Sequence, residues 1–253
     1  MVSDLRTINV TKRFGGITAL DSVNIRVEPD SIVMLIGPNG SGKTTLINVI
    51  AGYYKPDKGR VLFNGFDITG WLPHEIFKTG IVRTFQIPRP FKKLSVLDNL
   101  LLAVRSNPGE SIINALFRAE KWKEKEREAL QKAYDVLELL DLERVKYKKA
   151  AELSGGQLKL LEIGRALMAE PKLILMDEPV AGVNPSLAHE IMDHIVSLRN
   201  TLRLSFLIIE HRLDIVLDYV DKVYAMSRGK VISVGKPSRV ISDPQVVEAY
   251  LGG

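Results

Sequence analysis

The stretch that most constrains this chain is "SIVMLIGPNGSGKTTLINVIAG", residues 31–52. Its first half is a compact apolar run that ends at glycine, as a buried strand does where it meets a turn. Its second half, "KTTLINVIAG", has helical spacing and closes on Gly52, a usual helix stop. Between them Gly37, four further residues, then Gly42, Lys43 and Thr44 match the spacing of a loop that wraps phosphate. Glycines are required there because backbone N–H groups must approach phosphate oxygens with no Cβ in the way. The loop feeds a helix N-terminus whose partial positive charge faces the anion. Lys43 adds a full charge at the β- and γ-phosphates, and the Thr44 hydroxyl can ligate Mg²⁺.

Such a loop needs an acidic metal partner at the end of a neighbouring buried strand. "LILMDE" supplies it, with Asp177 following four apolar residues and holding Mg²⁺ through water. Glu178 stands one residue further, where a carboxylate can orient or deprotonate an attacking water. "FLIIEH" ends in the same way, which puts His211 at a strand terminus near the same sheet edge, within reach of a γ-phosphate. His74, His189 and His194 read as surface or packing residues.

Around this centre the chain divides by pattern. The first 35 or so residues alternate apolar and polar, in "TINVTKRF" and "VNIRV" with a Gly15-Gly16 break between, as short antiparallel strands do. "RVLFNGFDI" is a hairpin turning at Asn64-Gly65. From about Ser95 to Leu142 the character is helical, with Leu130, Ala133, Tyr134, Leu137 and Leu140 at steps of three and four. "KLILMDE" and "SFLIIEH" then read as parallel strands with a helix between them, and "KVYAMSRGKVISVG" as a final hairpin. The expectation is one α/β domain over 1–253: a core from 1–90 and 159–253 with an antiparallel β part, and a helical insert over 91–158. A length of 253 residues suits one core with a smaller lobe. The absence of cysteine excludes disulfides and thiolate metal sites. No apolar run approaches the roughly 18 residues of a membrane span. The start, "MVSDLRTINV", lacks a signal pattern, so the chain is expected to stay where it is made. The net charge of +5 is not gathered into one arm and selects no partner.

"LSGGQ", residues 153–157, follows the phosphate loop by about a hundred residues and leads into "LKLLEIGRALM", a helix by spacing. Ser154 is a good N-cap. Capping explains the serine alone; two successive glycines weaken a helix start, which points to backbone lying close to something else.

"GPNGSGKTT", the lone glutamine of "TFQ", "LSGGQ", "LILMDEP" and "IIEH", in that order, resemble the ATPase subunits of ABC transporters over essentially the whole chain. The resemblance implies a P-loop, RecA-like core with a mainly parallel sheet, an N-terminal antiparallel β subdomain and an inserted helical subdomain. It implies that Gly37, Pro38, Asn39, Gly40, Ser41, Gly42, Lys43, Thr44 and Thr45 hold ATP, with Thr45 at the α-phosphate and Phe14 stacked on adenine. Glu178, His211 and Gln86 become the catalytic group, and Thr44, Gln86 and Asp177 the Mg²⁺ ligands. Ser154, Gly155, Gly156 and Gln157 would act on the nucleotide of a second, facing ATPase subunit, so that two ATP molecules lie between two head-to-tail chains. One departure stands out: the loop after "DEP" usually ends in Asp, and here "VAGVN" ends in Asn184, which keeps hydrogen bonding without charge.

"GIVRTFQIPRPFKKLSVLDNLLLA", "EPVAGVNP", "IIEHRLDIVLDYVD" and "DPQVVEAYLGG" are more particular and resemble the ATPase subunits of branched-chain amino-acid uptake systems. Related ATPases for urea or amide uptake and for lipopolysaccharide export remain alternatives. The implied partners are integral permease subunits, received near Gln86 and the helical insert, and indirectly a solute-binding protein. The implied place is the cytoplasmic face of the membrane, peripherally. Nucleic acid is not an expected partner: DNA-repair relatives insert a very long coiled coil before the signature, whereas Ser154 follows Lys43 by 111 residues.

Overall fold

The computed structural model describes residues 3–84, 89–104 and 119–251, with side chains in the last stretch from residue 124. The elements run β1 (Leu5–Phe14), β2 (Ile17–Val23), β3 (Arg26–Val27), β4 (Ile32–Ile36), α1 (Lys43–Ile50), β5 (Lys58–Phe63), β6 (Phe66–Asp67), α2 (Pro73–Thr79) and β7 (Ile81–Arg83). They continue with α3 (Val96–Leu101), α4 (Ala119–Leu139), α5 (Gly155–Met168), β8 (Leu173–Asp177), α6 (Pro185–Leu202) and β9 (Ser205–Ile209). The chain closes with α7 (Leu213–Val216), β10 (Lys222–Ser227), β11 (Lys230–Gly235), α8 (Pro237–Ile241) and α9 (Pro244–Leu251). It forms two compact units, 1–86 with 172–253, and 87–171.

In the first unit, the main sheet has the order β11-β10-β4-β9-β8-β7. All its pairings are parallel except that of β11 with β10. β4, β8 and β9 are buried at every position, as strands covered on both faces must be. Val33 and Leu35 point to one face, where Leu46, Ile47 and Ile50 of α1 join Leu5, Leu20 and Phe63 of the antiparallel sheet in one apolar cluster. Each such fully buried aliphatic side chain contributes on the order of 1.5–3 kcal/mol. On α6, Ala188, Ile191, Met192, Ile195 and Leu198 form the buried stripe that helical spacing demands.

The antiparallel sheet orders as β2-β1-β5-β6, with β3 also on β1. The Asn64-Gly65 turn is as expected, both residues having positive φ (53° and 82°), the signature of the tight hairpin turn. The second strand departs from expectation. It runs Ile17–Val23, so "VNIRV" is split: Val23 ends β2 opposite Val10, and Arg26 and Val27 pair with β1 as the separate β3. The break has a local cause: Ser22 has φ 54°, and the Asn24 amide donates to Ser22 O at 2.8 Å and to Asn9 Oδ1 at 2.9 Å, taking the backbone out of the ladder.

The second unit is built from α3, α4 and α5. The expected insert is 91–158; the unit runs 87–171, and α5 packs against α3 and α4 within it. Gly164 makes that approach possible: a Cβ there would lie 2.9 Å from Leu100 Cδ2, 3.1 Å from Leu140 Cδ1 and 3.2 Å from Val136 Cγ1. Asn99, fully buried, pins the chain before α3. Its Oδ1 accepts from Phe91 N at 2.8 Å and its amide donates to Ser95 O at 2.8 Å.

Candidate functional site

The parallel register brings the chemistry to one edge of the main sheet. Leu35 pairs with Ile209 and Ile209 with Asp177, so the chain leaves β4, β8 and β9 side by side at their C-terminal ends, where open α/β sheets bind ligands. Gly37 leaves β4 with φ 145°, and a Cβ on it would sit 2.1 Å from Met226 O of the neighbouring strand. Gly42, left-handed at φ 105°, opens α1 with no side-chain cap. The N-cap residue therefore supplies no side-chain acceptor to the first N–H groups of α1. The Lys43 side chain is buried, and its ammonium donates to Gly37 O at 2.7 Å, Pro38 O at 3.0 Å and Ser41 Oγ at 3.3 Å. Burial pulls Lys43 below its ordinary value, against the opposing charges of Asp177 and Glu178.

A cleft of about 440 Å³ is lined by Asn39 to Thr45, Glu178, His211, Thr18 and Arg228. Glu178 has φ 53°, a left-handed conformation that is costly for a residue with a side chain and is found where structure over-determines it. Its N–H donates to Ile209 O at 2.8 Å, and its Oε1 lies 3.5 Å from His211 Nε2. The two expected catalytic groups are thus in contact. Asp177 is buried, and burial together with Glu178 raises it above the ordinary carboxylate value despite Arg83 and Lys43. A buried carboxylate and the Thr44 hydroxyl are oxygen donors of the kind Mg²⁺ takes, so the residues fit that ion.

Three supporting residues escaped the sequence reading. Glu210, buried, accepts from Val180 N at 2.8 Å, His211 N at 2.9 Å and Arg212 N at 3.3 Å, tying the segment after Glu178 to the one bearing His211. Arg83, at the end of β7, has its guanidinium 3.5 Å from Asp177 Oδ2, bonds Asn48 Oδ1 of α1, and lies over the Tyr53 ring. Arg228 enters the cleft from the β10–β11 turn. The run "FLIIEH" carried a signal for Glu210, since a carboxylate at the end of a buried strand must find donors. Nothing in spacing foretells the other two.

Phe14 closes β1 with its ring displayed, 42% exposed and edge-on to Tyr54 at 5.1 Å. The cleft is lined by the residues after it, Ile17, Thr18 and Ala19, and not by the ring itself. Gln86 lies outside the described residues. Asn184 caps α6, accepting from Leu187 N at 2.9 Å.

In the second unit, Ser154 caps α5 in a reciprocal box: Ser154 Oγ accepts from Gln157 N at 3.3 Å, and Gln157 Oε1 accepts from Ser154 N at 3.1 Å. Gly155 is exposed, and among the described residues a Cβ on it would meet no atom within 4 Å. Gly156 is buried.

Comparison with known proteins agrees with this geometry. A family model described as ABC transporter matches residues 20–181, and one described as branched-chain amino acid ATP-binding cassette transporter matches residues 230–253. The chain is 54% identical to the probable branched-chain amino acid transport ATP-binding protein LivG of Methanocaldococcus jannaschii, over 98% of this chain and 97% of the relative. It is 52% identical to the protein of the same name in Archaeoglobus fulgidus, over 98% and 95%. Among solved structures, an ATP-binding cassette of an ABC transporter in its ADP conformation matches with a TM-score of 0.87 and 52% identity, covering 100% of both chains. A dimeric ATP-binding cassette in a post-hydrolysis state, bound to ADP and Pi, matches with a TM-score of 0.72 and 26% identity over 92% and 98%.

Proposed function

Since the chain belongs to the ABC transporter family of ATP-binding subunits, and among them resembles the LivG type, we propose that it hydrolyses ATP to drive uptake of branched-chain amino acids through a membrane permease. The observation that carries the catalytic half is the meeting of the phosphate loop, Glu178 and His211 in one cleft. ATP binds with its phosphates on the N–H groups of the loop and of α1, with Lys43 at the β- and γ-phosphates. Thr44 and Asp177 hold Mg²⁺, which supplies neutralisation of phosphate charge when bound. Glu178 takes the proton of the attacking water as oxygen bonds to the γ-phosphorus and the bond to ADP breaks. His211, steadied through its backbone by Glu210, contacts the γ-phosphate. Phe14 offers a face to adenine, and Gln86 joins the water and the metal.

Ser154, Gly155, Gly156 and Gln157 act on the nucleotide of a facing subunit. Support comes from Gly155: the described residues leave open space where a side chain would stand, so none of them requires glycine there. The same reading gives Asn184 an interface role beyond its cap. Among the described residues no helix is long and apolar enough to cross a membrane, which agrees with peripheral attachment to permease subunits on the cytoplasmic face.

Glu178→Gln tests the scheme. ATP affinity is expected to stay within about two-fold while turnover falls by at least about a hundred-fold, as loss of a general base does, and an ATP-bound dimer accumulates in size-exclusion chromatography. Turnover at the wild-type rate in E178Q would remove Glu178 from catalysis. Branched-chain amino-acid transport by the complex that co-purifies with the chain, measured in proteoliposomes, tests the cargo; urea or amide transport instead would reassign it.

A further inference from the structure

Gly37, a buried residue, leaves the sheet through a glycine-only conformation, and its N–H leaves the parallel ladder with it. The acceptor that meets it comes from the far end of the chain: the Tyr250 hydroxyl of α9 takes that N–H at 2.8 Å. α9 is anchored by Val246, which is buried, and by its contact with β11 and α8. Gln245, Glu248 and Ala249 of the same helix stand with Pro38 to Ser41 around a second cleft of about 550 Å³, so the terminal helix forms a wall behind the phosphate loop. Burial pushes the Tyr250 phenol above its ordinary value; it stays a neutral hydroxyl, able to accept from an amide and donate elsewhere.

We propose that Tyr250 is a positioning residue for nucleotide binding: by holding the Gly37 amide it sets the first peptide of the phosphate loop, and α9 thereby takes part in binding ATP. The inference rests on the ATP-binding reading above. Loop amides bind phosphate only while their N–H vectors converge, and a loop rich in glycine does not hold that arrangement by itself. An external acceptor at its first residue removes part of that freedom before nucleotide arrives, so losing the acceptor weakens binding rather than the chemical step.

Tyr250→Phe keeps the ring and removes the acceptor. In calorimetric titrations of the full chain with ADP, Y250F is expected to weaken Kd about five-fold, which is about 1 kcal/mol at 1.4 kcal/mol per factor of ten. KM for ATP rises by a similar factor while kcat changes by less than about two-fold, the pattern of lost ground-state binding. Amide exchange in the peptide that carries Gly37 speeds up. Val247→Ala, an exposed position on the same helix, serves as control and leaves all three readouts unchanged. Wild-type Kd and wild-type loop exchange in Y250F would overturn the proposal while leaving the ATPase reading intact. A wild-type chain that takes up no ADP would overturn both.

Discussion

At the level of single residues, this site is assembled from groups held against their intrinsic preferences. Lys43 is buried and pulled down, Asp177 is buried and pushed up, and Glu178 sits in a left-handed conformation. Each costs folding free energy that the packed strands beneath offset. Asp177 gives this a measurable sign. Its folded value lies above the unfolded one, so the folded chain retains a proton that the unfolded chain releases. Stability from this group is full below the ordinary carboxylate range and is lost as pH rises through the folded value. Asp177→Asn, without nucleotide or metal, is therefore expected to resist urea better than wild type at about pH 7, with the gap closing as pH falls to about 4, the ordinary carboxylate range. Equal urea midpoints at both pH values would show that the carboxylate carries no burial cost. Glu210, also buried, is met instead by several backbone N–H donors that converge on its carboxylate oxygens.

At the level of elements, α5 separates what folding wants from what function wants. A glycine in the first turn of a helix, with open space around it, is a poor choice for stability. Gly155→Ala should stabilise the fold by up to about 1 kcal/mol, since alanine is the better helix former and nothing obstructs its methyl group. ATP turnover should nevertheless fall, because on the proposed reading the methyl group enters the space of the facing nucleotide. Thermal unfolding and steady-state ATPase on one preparation separate the two effects; a variant both more stable and fully active would leave Gly155 without an interface role. Gly164, nine positions along, differs in kind: its missing Cβ is filled by Leu100, Val136 and Leu140. One glycine answers to its own unit and the other does not. The same contrast explains the boundary at 171. α5 reads by motif as part of the catalytic apparatus, yet its apolar face is satisfied by α3 and α4.

At the level of the whole molecule, a single chain holds one phosphate loop and one signature helix start, and the proposed reaction centre pairs one of each from two chains. Ser154→Arg places a bulky cation on that exposed helix start. It should leave ADP binding by the monomer within about two-fold while abolishing ATP-driven association in ultracentrifugation, as an uncompensated charge at an interface does. Full turnover by S154R, or turnover per chain that does not fall on dilution, would show that a monomer is sufficient.

Much of this was legible in the sequence because it is written in short range. The phosphate loop is determined by spacing and glycine chemistry within nine residues, the Asn64-Gly65 hairpin by two, and the Ser154–Gln157 cap by four. Strand burial made Asp177, Glu178 and His211 visible as chain ends at a common edge. What remained hidden depends on partners distant in the chain. Gly37 meets Tyr250 across 213 residues, and Lys222 meets Glu28 across 194. Glu210 has its donors and Arg83 its carboxylate only once β7, β8 and β9 lie side by side. Local pattern decides where a strand ends and what chemistry stands there, because sterics and hydrogen bonding act between neighbours. Which distant hydroxyl satisfies a buried amide is decided when the sheet and its covering helices close, because only then does that amide lose water and need another acceptor.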